Sequence, residues 1–173
     1  MRPHEFVKKY LLYAREIEDK TGLSAVAILA QAAVESSWGE AAPGNMFFGI
    51  KDTDGVNGNE QLITTTEYSR RPDEKFPVII SVKPVVVSGQ TLYKYKVKDY
   101  FRRYETPAGS FADHAALFFR NKRYQQALAV RHDPEKFLIE IARAGYATDP
   151  EYISLLLKVV KMIQNEIAKH EKN

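Results

Sequence analysis

The chain has 173 residues, is 45% hydrophobic and 27% charged, carries a formal charge of +3 and contains no cysteine. That length fits one domain able to bury a core of its own, and the lack of cysteine excludes disulfides and thiolate metal sites. The mild basicity, with a pI near 8.9, falls short of the dense Lys/Arg stripe of a nucleic-acid binder, and no apolar run reaches the roughly 18 residues of a membrane span.

In chain order, residues 3–20 are predicted as an amphipathic helix. Phe6, Tyr10, Tyr13 and Ile17 recur at helical spacing, Pro3 suits a first turn and Gly22 a C-terminal cap. Glu5, Lys8, Lys9, Arg15 and Glu16 interrupt this stretch, so no secretory signal is expected in it. Ser24 is the expected N-cap of a second helix. Between residues 25 and 34 only Gln31 is polar, the pattern of a helix buried on all sides. Ala27, Ala30, Ala32 and Ala33 would let neighbours approach closely, and Gly39 is expected to stop the helix.

Residues 41–58 read as loop, with 46–50 as a short first strand. The run DTDGVNG at 52–58 resembles a calcium loop in outline. Val56 falls where an oxygen ligand belongs and Asn57 where the glycine belongs, so a plain turn is expected. Residues 62–68 and 76–82 are β-branched and aromatic, hence strands. Residues 85–87 and 91–97, joined by Ser88-Gly89-Gln90, are predicted as a hairpin, with 100–104 continuing its second arm. Pro77 and Pro84 belong at sheet edges.

Beyond residue 110 the helical period returns. Phe111, Ala115 and Phe118 mark one helix, 124–130 a short one, and 134–144 another with Phe137, Leu138 and Ile141 inward. Asp149 is the expected cap of a last helix that starts at Pro150 and runs to about residue 169. The fold class is therefore α+β: a mainly helical body with a small antiparallel β lobe at about 45–104, carrying an extended hairpin, within a single domain.

The first chemical candidate is Glu35. It falls in the last turn of the apolar helix, where desolvation and the negative end of the helix dipole both favour the protonated acid. That is the state a general acid needs. The plainer reading is a helix-end carboxylate that is solvated or paired with a cation. Trp38, three residues on, would lie on the same face and could line a pocket. Gln31, four residues before Glu35, could contact it or form the helix's polar edge. Glycoside cleavage usually takes two carboxylates, and Glu67 is the second candidate. Strand alternation puts it on one face with Thr65 and opposite Thr64 and Thr66, from where it could meet Glu35 across a cleft. It could equally be an exposed strand-end residue, and Asp52, Asp54, Glu60 and Glu74 compete with it. His4, His114, His132 and His170 share no metal-ligand spacing, so neither metal nor cofactor is expected.

Five strings occur in order: AQAAVESSWGE, NMFFGIK, TTTEY, FRRYETPAGSFADHAALF and AGYATDPEY. Together they resemble the bacterial β-N-acetylglucosaminidases of glycoside hydrolase family 73, which hydrolyse peptidoglycan. The resemblance runs from about residue 21 to 152. It implies a lysozyme-like fold and cleavage of the β-1,4 bond between N-acetylglucosamine and N-acetylmuramic acid. It also implies Glu35 as general acid, Glu67 as the second acidic residue and Tyr146 as the aromatic site residue, although a core tyrosine is the plainer reading of that position. Asn45, Phe48 and Tyr68 join Trp38 as expected sugar-contacting walls, whereas Tyr152 is expected to pack.

The chain departs from the family pattern in the extra aromatic of NMFFGIK and in the length of 76–97. The expected partner is the glycan strand of the cell wall, met by a monomer outside the cytoplasm with no membrane span. A muramidase, a lytic transglycosylase and a non-catalytic wall-glycan-binding module are the competing readings.

Overall fold

The structure is a computed structural model that describes residues 1–146 and 150–172. The expected cap Asp149 lies outside the described residues. The chain divides into two compact units, one formed by Met1–Phe48 with Tyr104–Asn173 and the other by Gly49–Arg103.

The first unit is helical. Helix α1, Pro3–Thr21, ends at Gly22, whose left-handed conformation (φ 75°) lets its N–H close on Glu18 O. Helix α2, Ala25–Glu35, begins at Ser24, whose side chain accepts from the Ala27 N–H. The remaining helices are α3 (Pro107–Arg120), α4 (Gln125–Ala129), α5 (Pro134–Arg143) and α6 (Pro150–His170). Thr106 caps α3 and Asp133 caps α5 in the same way as Ser24.

Helix α2 packs against α1, α5 and α6, so most of its surface is closed to water and only its Glu35 end is exposed. Ala27, Ala30, Ala32 and Ala33 are fully buried, as is Gln31. The small side chains are what let three helices close around it. A second core is aromatic: Phe47 and Phe111 meet edge-on at 5.5 Å, and both touch Tyr10. No described helix is long and apolar enough to cross a membrane.

The second unit holds an antiparallel sheet in the order β1–β3–β2, with β1 Glu60–Ser69, β2 Val78–Val87 and β3 Gln90–Arg102. The long hairpin is continuous, not broken at Pro84. That residue pairs with Tyr93 on an edge strand, where a missing N–H disturbs no further ladder. A bulge between Ile79 and Ser81 absorbs one residue. The turn is two residues long, Ser88 and Gly89, both at positive φ (49° and 75°), as a tight hairpin turn requires. The expected strand at 46–50 does not form. Lys51 makes a single bridge to Phe101, while Phe47 and Phe48 turn into the helical core.

Candidate active site

Helix α2 stops at Glu35, not at Gly39. The Ser36 hydroxyl donates to Ala32 O at 2.5 Å and accepts from the Gly39 N–H at 2.9 Å. The Trp38 N–H closes on Ala33 O. Between these ties Ser37 and Trp38 both take left-handed backbone (φ 50° and 57°), a conformation that costs a non-glycine residue and persists only where its surroundings over-determine it. Trp38 therefore leaves the helical face expected for it and sets its ring edge-on to Phe6 at 5.5 Å. It is half-buried packing, with part of the indole still open.

Glu35 itself is exposed by surface area, yet enough protein atoms surround its carboxyl for desolvation to raise its pKa. The exposed area bears on access, and the surrounding atoms bear on titration. An opposing effect comes from Tyr152 in the first turn of α6. Its hydroxyl donates to Glu35 Oε1 at 2.5 Å, which favours the charged carboxylate and lowers the pKa without cancelling the rise. The expectation that Tyr152 merely packs is thus corrected. It is a direct partner of the candidate acid, and burial and the Glu35 charge push its own phenol pKa up.

Behind this pair lies a buried polar chain. Gln31 Oε1 is 2.9 Å from His114 Nε2 on α3. Burial pushes His114 down to about 3, so its ring is neutral near pH 7, and Nε2 carries the proton that Gln31 accepts. Gln31 Nε2 finds no partner of good hydrogen-bond geometry, but the amide lies close enough to Tyr152 to favour its ionised form. Gln31 therefore serves neither as a polar edge nor as a direct ligand of Glu35. It stands between His114 and Tyr152.

Tyr146 packs its ring beside Phe118 (5.8 Å), His114 (6.3 Å) and Tyr124 (6.4 Å), and its N–H closes on Ile141 O. Burial raises its phenol pKa, and the Glu35 carboxylate raises it further. The helical unit thus gathers Glu35, Tyr152, Gln31, His114 and Tyr146.

One expected wall is corrected. Phe48 is 6% exposed and stacks on the His114 ring at 3.7 Å with the planes 2° apart, so it is core. Asn45 Nδ2 donates to Tyr104 O at 2.9 Å, and the residue stays half-exposed.

In the sheet unit Glu67 is half-buried on the face it shares with Thr65. Its Oε1 is 3.0 Å from Lys51 Nζ, and Lys51 is also 3.0 Å from Asp99. Desolvation lowers the Lys51 pKa, but the two carboxylates outweigh it and raise the value overall. Tyr68 is on the opposite, exposed face. The competing acids are otherwise engaged. Asp54 accepts from the Val56 N–H and from Asn59, Asp52 and Asp54 both face Arg102, Glu60 accepts from the Gly58 N–H and Glu74 from Ser69. Among the described residues, no three His, Asp or Glu side chains gather as a metal site would require.

The family described as Mannosyl-glycoprotein endo-beta-N-acetylglucosaminidase matches residues 12–165. Peptidoglycan hydrolase FlgJ of Salmonella typhimurium is 33% identical over 97% of this chain and 48% of its own length. FlgJ of Pseudomonas aeruginosa is 30% identical over 92% of this chain and 36% of its own. The chain therefore spans half or less of these relatives. The glycoside hydrolase domain of Salmonella typhimurium FlgJ superposes with a TM-score of 0.73 at 28% identity, covering 99% of this chain and 94% of that one.

Proposed function

Because the chain belongs to the glucosaminidase family of glycoside hydrolases, we propose that it hydrolyses peptidoglycan at the β-1,4 bond between N-acetylglucosamine and N-acetylmuramic acid. The observation that carries this reading is Glu35. It is a carboxyl whose hold on its proton is strengthened by desolvation at the end of a buried helix, yet open enough by area for a substrate to reach. In this reading Glu35 gives its proton to the glycosidic oxygen as the bond to C1 breaks. Tyr152 holds the carboxyl in one orientation and stabilises the carboxylate left behind.

Glu67 is the second carboxylate of the proposal, and its orientation is set by Lys51. It has two possible tasks. As a base it activates water and inverts C1. As a positioning group it leaves the attack to the substrate's acetamido oxygen, and the configuration is retained. Proton NMR of the first-formed anomer separates them. Trp38 and Tyr146 complete the proposal as sugar contacts, whereas Tyr68, on the sheet face opposite Glu67, is left out of it. We read both units as parts of one catalytic domain that works as a monomer at the cell wall.

The test is Glu35→Gln, which keeps the shape and the Tyr152 contact but removes the proton. Release of reducing ends from purified peptidoglycan should fall by about 10²–10⁴-fold, the usual worth of a general acid. A variant as fast as the parent would remove Glu35 from the role.

A further inference from the structure

The sheet sorts its charges by face. On the face of Glu67 lie Asp99 and Lys51, joined as an ion-paired cluster. The other face is different. In register across the three strands it reads Tyr68–Lys94–Lys83, then Thr66–Lys96–Ser81, then Thr64–Lys98–Val78. All four lysines are exposed, none forms an ion pair among the described residues, and these three rows contain no acidic side chain. Lys83 and Lys94 are directly opposite each other, and like charges so placed weaken a strand pair. Folding therefore gives no reason for the arrangement. Along β3, alternate lysines stand about 7 Å apart. Between β1 and β2 the side chains of Thr66, Ser81, Lys83, Lys94 and Lys96 line a depression of about 300 Å³. Its hydroxyl and ammonium donors suit an oxyanion. The segment responsible is the long hairpin at 76–97, which sets this chain apart from the family pattern.

We propose that this face is a second substrate contact, which binds the free carboxylates of the peptide stems of peptidoglycan. The inference rests on peptidoglycan being the substrate. Stem carboxylates are the anions that polymer itself carries, and they recur along it, as do the lysines along β3. Because the lysines are exposed and carry their ammonium groups on flexible stems, the contact is electrostatic and is screened by salt. It raises affinity for the polymer and leaves cleavage of an uncharged oligosaccharide alone.

The test compares the full chain with Lys83→Gln/Lys94→Gln/Lys96→Gln, whose exposed substitutions relieve the like-charge pair and should leave the unfolding midpoint equal or higher. Co-sedimentation with purified sacculi at low salt should weaken by at least about tenfold in the triple variant. The parent should weaken similarly on sacculi whose carboxylates have been amidated, while chitooligosaccharide turnover stays the same in both proteins. Glu35→Gln should sediment like the parent, which separates binding from catalysis. If the parent binds in a carboxylate-dependent way but releases no reducing ends, the hydrolase reading fails and this inference stands. Equal sedimentation of parent and triple variant, or indifference to amidation, would overturn it. So would loss of binding only when phosphodiester polymers are stripped from the wall with hydrofluoric acid.

Discussion

Acid should destabilise this protein through His114, and the size of the effect can be worked from its surroundings. The ring is 1% exposed and its partner Gln31 is fully buried. Phe48 stacks on it, Phe118 and Tyr146 flank it, and Asp113 is the one charge that works against the effect of burial. The native ring stays neutral down to about 3, whereas an unfolded one takes up its proton near 6.5. Between those values the unfolded chain binds one proton more, so stability falls as pH falls. The slope is about 1.4 kcal/mol per pH unit, which amounts to roughly 3 kcal/mol by pH 4.5.

His114→Phe removes that slope and keeps a ring against Phe48. It leaves Gln31 Oε1 without its donor, which should cost about 1–3 kcal/mol at neutral pH. The parent should therefore be the more stable protein at pH 7, with the gap closing or reversing by about pH 4.5. For a chain of this size each kcal/mol moves Tm by about 2–4 °C. Urea unfolding followed by circular dichroism in steps from pH 7.5 to 4 reads the difference directly, since every other titratable group is the same in both proteins. Parallel stability curves would refute the reasoning, because they would mean that the native ring takes up its proton at an ordinary pH.

Other outcomes follow from the same geometry. Tyr152→Phe removes the donor that favours the Glu35 carboxylate, so the acid should hold its proton to higher pH. The basic limb of the kcat/KM profile should move up, and an unmoved or lowered limb would contradict the contact. Glu35→Gln should stabilise the fold at neutral pH. The raised pKa means that the native state keeps a proton the unfolded state has lost above about 4.5, so stability declines as pH rises through that window, and the benefit should vanish in acid. Lys51→Met leaves Glu67 and Asp99 without their shared cation. The groups are partly exposed, so the loss in urea unfolding should be no more than about 1 kcal/mol and should shrink in high salt. A loss that ignores salt would point to packing instead.

The α+β class and most helix ends were legible in the sequence because local signals and tertiary packing agree there. Ser24 caps α2, Gly22 closes α1, and the apolar run around Gln31 is buried on every side. The lysozyme-like fold came from the motif order. The helix end at Glu35 was harder to see. Nothing in SSWG announces that Ser36 will bond back to Ala32 and hold Ser37 and Trp38 left-handed, so local signals alone point to a stop at Gly39 and put Trp38 on the wrong face. Phe48 looks like any loop aromatic, and only the fold reveals the His114 ring it stacks on. Tyr152 and Glu35 are 117 residues apart, and no periodicity within either helix encodes their meeting. The hint in the sequence is a lone tyrosine in the first turn of α6. In the sheet, the alternation that put Glu67 with Thr65 was readable, but the ion pair with Lys51 was not. It depends on register with a segment outside the strands.

The central claim concerns one bond and one acid. Mass spectrometry of the fragments released from purified peptidoglycan, with the Glu35→Gln protein as the control, tests both. The expected products end in reducing N-acetylglucosamine and are lost in the variant. Products ending in reducing N-acetylmuramic acid, or in its anhydro form, would contradict the assignment of the bond, and release that persists in the variant would contradict the assignment of the acid.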